Sequence, residues 1–279
     1  MASTAARQAP SDGVEATVNY LLETGEEPWT FAVPPGTPES GHSYAFDPHK
    51  LVIHDARPIA DRFTLEREGF RFLHHDTAVG DFRDDAEVRA VYYPEMEALV
   101  KAESGADRVH VFDHTLRIDD AAERTARKVR APVRSAHNDY TEWSAPQRVR
   151  DMLPDEAEAL LRHRFAIIQV WRPIRGPVET APLAICDGST VSTDDLVVSE
   201  RRTATRVGQT YAIRFNPAHA WYWYPHMRRE EAVIFKVFDS AKDGRARWTA
   251  HTAFVDPAAR PDAAPRESIE IRVMAFFAP

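Results

Sequence analysis

The chain has 279 residues, 43% of them hydrophobic and 28% charged, with a formal net charge of -8 at pH 7. That length suits one sizeable domain with a buried core, the apolar content is too high for a disordered chain, and the acidic balance argues against nucleic acid, whose phosphates need a basic surface. A single cysteine, Cys186, leaves no partner for an intramolecular disulfide; with no apolar h-region at the N-terminus and no run of about 18 apolar residues, the expected setting is cytoplasmic, with no membrane partner.

Residues 1–13 are small and polar and read as disordered, with order beginning near "VEATVNYLL". Segment 29–48, rich in Pro and Gly, reads as a loop, and "LVIHDAR" as a strand. "EVRAVYYPEMEALVKAESGA" repeats apolar residues at helical spacing through Val88, Tyr92, Met96 and Leu99 and should stop near Gly105, with Pro94 as a kink or first turn. "DRVHVFDHTLRI" alternates like a strand. "RTARKVR" reads as a solvated face, and "PQRVRDMLPDEAEALLRHR" as two helical pieces parted at Pro154. Beyond residue 164 the texture changes to "FAIIQVW", "LAIC", "TYAIRF", "AWYWY", "EAVIFKVFD", "ARWTAHTAF" and "SIEIRVMAFF", separated by turn residues. Regular short strands of this kind imply a sandwich or small barrel with the helices packed outside it. Cys186, among apolar neighbours, reads as an inert core thiol.

The stretch "SAHNDYTEW" carries the chemistry. On a strand, His137 and Asp139 would share one face across Asn138, giving two members of a 2-His-1-carboxylate facial triad for non-haem Fe(II). A His-x-Asp tripeptide arises by chance about once in such a chain, and His74 with Asp76 repeats the spacing. A third ligand is therefore needed. His163 ends a helical piece, where an imidazolium would complement the helix dipole; His219 and His226 bracket "HAWYWYPHM", and His251 lies in a late strand.

The last strand of the chain, beyond His251, separates these candidates. In "PRESIEIRVMAFF", Arg266, Ser268, Glu270 and Arg272 share one strand face, while Ile269, Ile271 and Val273 take the other. That polar face is either solvated or a carboxylate clamp inside a barrel mouth. An Arg-x-Ser after the distal histidine resembles the arrangement that holds the far carboxylate of 2-oxoglutarate in many iron oxygenases.

The blocks "HVFDHTLR", "QVWRPIRGPVETAPLAICDG", "WYWYPHMRREEAVIFKVFDS" and "HTAFVDPAARPDAAPRESIEIR" resemble the AsaB-type hydroxylase/desaturases, a family related to cephamycin methoxylase components and to fungal endoperoxide-forming oxygenases. The likeness runs from about residue 17 to 277. It implies a mainly β fold with flanking helices around a double-stranded β-helix (jelly roll, cupin-like) core. Residues 1–279 would then form a single oxygenase domain, with 14–130 packing on the barrel and 131–279 forming the jelly roll. The resemblance further implies Fe(II), 2-oxoglutarate as cosubstrate and O2, with His137, Asp139 and His251 as metal ligands. Arg266 and Ser268 match the cosubstrate clamp, with Arg272 as the alternative, and His74 and Asp76 become structural.

The expected activity is hydroxylation, desaturation or cyclisation of a small molecule, in secondary metabolism. Tyr140, Trp171, Arg172 and Trp223 are the candidates for the substrate pocket, Arg172 as an anchor for a substrate carboxylate. Two other readings compete: a cupin-type metal oxygenase or isomerase that needs no keto acid, and a jelly roll that binds a small ligand without catalysis. A homodimer is the default assembly.

Overall fold

The computed structural model describes residues 13–31, 41–204 and 206–278. The polar N-terminal dozen and much of the Pro/Gly segment fall outside these residues. Among the described residues the strands are β1 (Gly13–Leu21), β2 (Trp29–Phe31), β3 (Phe46–Asp55), β4 (Phe70–His74), β5 (Arg108–Ile118), β6 (His137–Asn138) and β7 (Phe165–Arg175). They continue with β8 (Leu183–Cys186), β9 (Leu196–Arg202), β10 (Val207–Ile213), β11 (Trp221–Trp223), β12 (Glu231–Asp239), β13 (His251–Ala253) and β14 (Glu267–Phe276). Helices are α1 (Asp85–Glu87), α2 (Tyr93–Ser104), α3 (Ala121–Arg127), α4 (Ser144–Met152) and α5 (Ala157–Leu160).

Two curled sheets face one another. The nine-stranded sheet runs β1-β3-β11-β8-β13-β6-β10-β9-β2 and the five-stranded sheet β4-β12-β7-β14-β5. From β7 onward the chain crosses repeatedly between them, which is the winding of a jelly roll and bears out the expected double-stranded β-helix. The N-terminal part does more than pack on the barrel, because β1 and β3 extend one sheet while β4 and β5 form both edges of the other. The segment read as a loop over 29–48 holds β2 and the first residues of β3, and β9, unmarked by any apolar run, pairs with β10.

Sequence periodicity explains how the layers meet. β7 and β14 are buried on both faces. Phe165, Ile167, Trp171, Met274 and Phe276 enter the core between the sheets, whereas Ile168, Val170, Ile269, Ile271 and Val273 enter a second core with Val88, Tyr92, Met96 and Val100. Each such aliphatic side chain contributes about 1.5–3 kcal/mol by leaving water. The helix ends where a left-handed residue is needed, at Gly105 with φ 69°. Pro94 sits in the first turn of α2, directly after a π-turn at Val88–Tyr92, so its missing N–H falls where the backbone ladder is already shifted. A third core, with Tyr20, Cys186, Tyr211, Trp221, Trp223 and Phe254, lies on the other face of the larger sheet.

Candidate active site

β6 and β13 are neighbours, and His137 pairs directly with His251. Directly opposed residues project to the same side, so the two imidazoles meet with ring centroids 4.3 Å apart. Asp139 lies one residue past the end of β6 and turns its carboxylate to the same place. Ligand atoms of His137, Asp139 and His251 all lie within 4.8 Å of one another.

Each ring is oriented by a backbone carbonyl. Nδ1 of His137 is 2.8 Å from the Ser135 carbonyl, and Nδ1 of His251 is 3.0 Å from that of Thr249. A carbonyl only accepts, so Nδ1 carries the proton in both rings and the bare Nε2 faces the cluster. Burial, then the neighbouring His137, pulls His251 down to about 4, which keeps that imidazole neutral at ordinary pH. Asp139 Oδ2 accepts from Gln169 Nε2 at 2.5 Å and from Arg272 Nε at 3.1 Å. Oδ1 is left towards the histidines, 3.6 Å from His137 Nε2. Burial alone would raise this carboxyl, but Arg272 and both histidines more than offset it and hold it well below the usual range. Two imidazoles and one carboxylate, each with its outer atom already bonded, fit a divalent metal.

The polar face of β14 points into the barrel, not into water. Ser268, Glu270 and Arg272 lie opposite Arg117, Thr115 and Asp113 of β5. Arg272 is fully engaged: besides Asp139 it donates to Asp113 at 3.0 Å, to Thr115 at 3.3 Å and to Glu270. Glu270 in turn takes two hydrogen bonds from Arg117, at 2.8 and 2.7 Å. Arg266 differs. Its Nη1 donates to the Ala181 carbonyl at 2.5 Å and its guanidinium lies 5.4 Å from the Trp171 ring centroid, but among the described residues it has no carboxylate partner. Burial, then Arg117, pulls it down to about 9. Arg266 Nε, Ser268 Oγ and Trp171 Nε1 are all buried without a hydrogen-bond partner among the described residues. Orphaned donors beside an unpaired guanidinium fit a bound carboxylate.

The structure gathers some of the remaining candidates and not others. Tyr140 and Trp171 enter the core between the sheets, and burial pushes the Tyr140 hydroxyl up to about 12. Arg172 leaves β7 on the opposite face from Trp171. There it donates to the Arg229 carbonyl at 3.1 Å, meets His75 Nδ1 at 2.8 Å and lies over Tyr92. Trp223 packs on Phe254 in the third core, while Tyr222, one residue earlier, faces the inter-sheet core. His226 is an exposed turn residue with φ 51°, and His74, Asp76 and His163 are also exposed. His219 is held by Asp195 at 3.1 Å.

Gln169, Asp113 and Arg117 escaped the sequence reading. The signals were present: a lone amide inside "FAIIQVW" must find a partner if both faces of the strand are buried, and Asp113, Thr115 and Arg117 recur with period two in "FDHTLR".

A jelly roll with two histidines and a carboxylate converging inside it defines the class, a non-haem metal oxygenase. Residues 18–276 match the family model described as an oxidoreductase/YMDC permease-like domain. The Fe(II)/2-oxoglutarate-dependent dioxygenase nvfI of Aspergillus novofumigatus is 34% identical over 250 residues, covering 86% of this chain and 88% of that protein. The hydroxylase/desaturase CTB9 of Cercospora beticola is 33% identical, covering 83% of this chain and 78% of its own. A solved structure of the iron and alpha-ketoglutarate-dependent endoperoxidase NvfI superposes with a TM-score of 0.85 at 30% identity, over 97% of this chain and 100% of that one. The chain belongs to this family of Fe(II)/2-oxoglutarate-dependent dioxygenases.

Proposed function

We propose that His137, Asp139 and His251 hold Fe(II), that Arg266 with Ser268 receives the far carboxylate of 2-oxoglutarate, and that the product is a hydroxylated, desaturated or cyclised small molecule of secondary metabolism. The observation that carries the cosubstrate assignment is the contrast along β14 and the residue before it: Arg272 donates to Asp139, Asp113 and Glu270, while Arg266 and Ser268 keep buried donors free among the described residues. The relatives' hydroxylase/desaturase and endoperoxidase names support the reaction range.

With Fe(II), 2-oxoglutarate and O2 bound, the chemistry supplied is oxidative decarboxylation of the keto acid to succinate and CO2, coupled to attack on a substrate C–H bond. The protein's own residues orient and shield. The Ser135 and Thr249 carbonyls fix the tautomers of His137 and His251, and Gln169 with Arg272 occupies Asp139 Oδ2 so that one oxygen is presented. Tyr140 and Trp171 keep water from the pocket wall and present aromatic surface to the substrate. Arg172 and Trp223 have no part in this site, because their side chains lie on other faces. No helix among the described residues is long and apolar enough to cross a membrane, and the reading places the enzyme in the cytoplasm as a homodimer.

Anaerobic addition of Fe(II) and then 2-oxoglutarate tests the proposal. A weak visible charge-transfer band should appear with the wild type, and Arg266→Gln should require far more keto acid to reach it. No band at saturating concentrations would sink the assignment.

A further inference from the structure

The inward-facing charges of the barrel do not balance. Arg117, Arg130, Arg201, Arg266 and Arg272 act on one another and on the carboxylates Asp113, Asp139 and Glu270. Five guanidinium ions against three carboxylates leave two positive charges. Fe(II) and the 2-oxoglutarate dianion cancel each other and do not change the count. Asp119, also near Arg266, is matched by Arg134 at 2.8 Å.

The surplus has an address. Arg117, Arg266 and Arg272 are accounted for by Glu270, by the cosubstrate and by Asp139 with Asp113. Arg130 and Arg201 make no ion pair and no side-chain hydrogen bond among the described residues.

Backbone register turns both inward. His137 opposes Ala212 of β10, and Ala212 opposes Val197 of β9. Opposed residues share a face, so Val197, Ser199 and Arg201 lie on the face that carries His137. Across the ladder from Arg201 is Gly208, which puts no side chain beside it. Arg130 forms a bridge with Arg117, and Arg117 reaches Glu270 inside the barrel, so Arg130 also lies on the inner face. Arg201 is exposed and Arg130 half-buried, which sets them at the rim of the pocket instead of its floor. Desolvation, then the charges of Arg201, Arg117 and Arg272, holds the Arg130 guanidinium below its ordinary value, and desolvation with Arg272 and Arg117 holds Arg201 below its own against the opposing pull of Asp139. A fold that leaves two mutually repelling arginines over its own site has left room for an anion.

We infer that Arg130 and Arg201 form a rim subsite for an anionic group on the substrate, a carboxylate carried by a small organic molecule. The inference rests on the oxygenase reading, and it gives the substrate class that reading lacks. A guanidinium pair holds a carboxylate by charge-assisted hydrogen bonds, and a neutral amide of the same shape forfeits the charge. The anchor sits away from Arg266, so it fixes the substrate's orientation without competing for the keto acid.

The test is calorimetric titration of phenylacetate, against phenylacetamide, into protein loaded anaerobically with Fe(II) and saturating 2-oxoglutarate. Phenylacetate should bind about tenfold more tightly than the amide, and Arg130→Gln or Arg201→Gln should each weaken it by about tenfold. The affinity for 2-oxoglutarate, read from the charge-transfer band, should stay within about threefold of wild type. Without phenylacetate, Arg201→Gln should not lower Tm, because it removes a repelled charge. Equal binding of acid and amide overturns the inference. So does loss of keto-acid affinity in these variants, which would move the pair to the cosubstrate, and so does a fall in Tm, which would make Arg201 structural. Failure of the oxygenase reading would show separately, as a wild-type protein with no band at all.

Discussion

Two clusters of buried charge, both touching the five-stranded sheet, have opposite designs. At the Phe165 end of that sheet, Asp239 accepts from Arg164 at 3.2 and 2.7 Å and from Lys236 Nζ at 3.0 Å, and the Ala241 amide closes the set at 3.0 Å. The Asp239 carboxylate is fully engaged, although Arg247, which donates Nε to the Asp239 carbonyl at 2.7 Å, keeps its Nη2 buried without a partner among the described residues. At the other end, Arg266 Nε, Ser268 Oγ and Trp171 Nε1 are buried with no hydrogen-bond partner among the described residues. A charge cluster that only holds the fold satisfies itself, because an unpaired buried charge costs several kcal/mol. One that awaits a ligand carries that cost until the ligand arrives. Orphaned donors alone do not mark a site, since Arg172 Nε and Arg214 Nε are orphaned elsewhere; what sets Arg266 and Ser268 apart is that theirs gather with Trp171 Nε1 around a guanidinium that has no carboxylate among the described residues.

The metal cluster gives the largest contrast. His137→Ala, Asp139→Ala and His251→Ala should each abolish iron retention after gel filtration, as read by metal analysis, while His226→Ala retains it. Retention in His251→Ala with loss in His226→Ala would move the third ligand. Arg272→Gln should reduce retention by releasing Asp139 Oδ2, to which Arg272 Nε donates at 3.1 Å.

Breaking the complete cluster comes next. Asp239→Asn leaves two cations short of their carboxylate and should cost about 3–5 kcal/mol in urea denaturation, with 2-oxoglutarate affinity of the folded fraction unchanged. Burial raises the Asp239 carboxyl, but Arg164 and Lys236 more than offset this and hold it below the ordinary value. A depressed carboxyl lends stability that is full above the unfolded value of about 3.9 and disappears as pH falls through the folded one. Wild type should therefore lose stability in that acid window, and Asp239→Asn should lose less of what remains. Identical acid profiles would show that Asp239 is not the group responsible.

The incomplete cluster should respond in the opposite sense. Arg266→Gln should weaken 2-oxoglutarate by about 2–5 kcal/mol, the scale for unpairing a buried charge at an interface. Iron binding and ligand-free stability should hold, because no protein carboxylate loses a partner. A large loss with Arg272→Gln and none with Arg266→Gln would place the clamp six residues later on the same face.

Much of this contrast was legible in the sequence, and the limit has a physical basis. Period-two spacing put Ser268, Glu270 and Arg272 on one face and Ile269, Ile271 and Val273 on the other, but it could not tell whether the polar face met water or the barrel. That depends on β5 and β7 lying on either side of β14, a long-range fact. For the same reason Arg172 and Trp223, chosen as chemistry-bearing residues on strands, were each one residue out of phase with the pocket: type is local, facing is not. The His137–Asp139–His251 set was readable because the family resemblance supplied the pairing that spacing alone leaves open among four histidines. Gln169 was missed because a single amide in an apolar run has no motif. Its meaning appears only when Asp139 is found beside it.

Ser268 offers the smallest effect and the sharpest sign. Its Oγ is buried with no partner, and a buried unpaired hydroxyl costs about 1–3 kcal/mol, so Ser268→Ala should leave the ligand-free protein equally stable or slightly more so. If the hydroxyl completes the carboxylate clamp, the same change should weaken 2-oxoglutarate by about 0.5–1.5 kcal/mol, since it removes a neutral donor from a charge that Arg266 still pairs. The two measurements, Tm without ligand and keto-acid affinity, should therefore move in opposite directions from the loss of one oxygen atom. A structural hydroxyl would lower both. A Ser268→Ala variant that loses Tm and keeps its 2-oxoglutarate affinity would show that this orphaned donor is an unfilled place in the core and not half of a binding site, and would leave Arg266 to hold the cosubstrate alone.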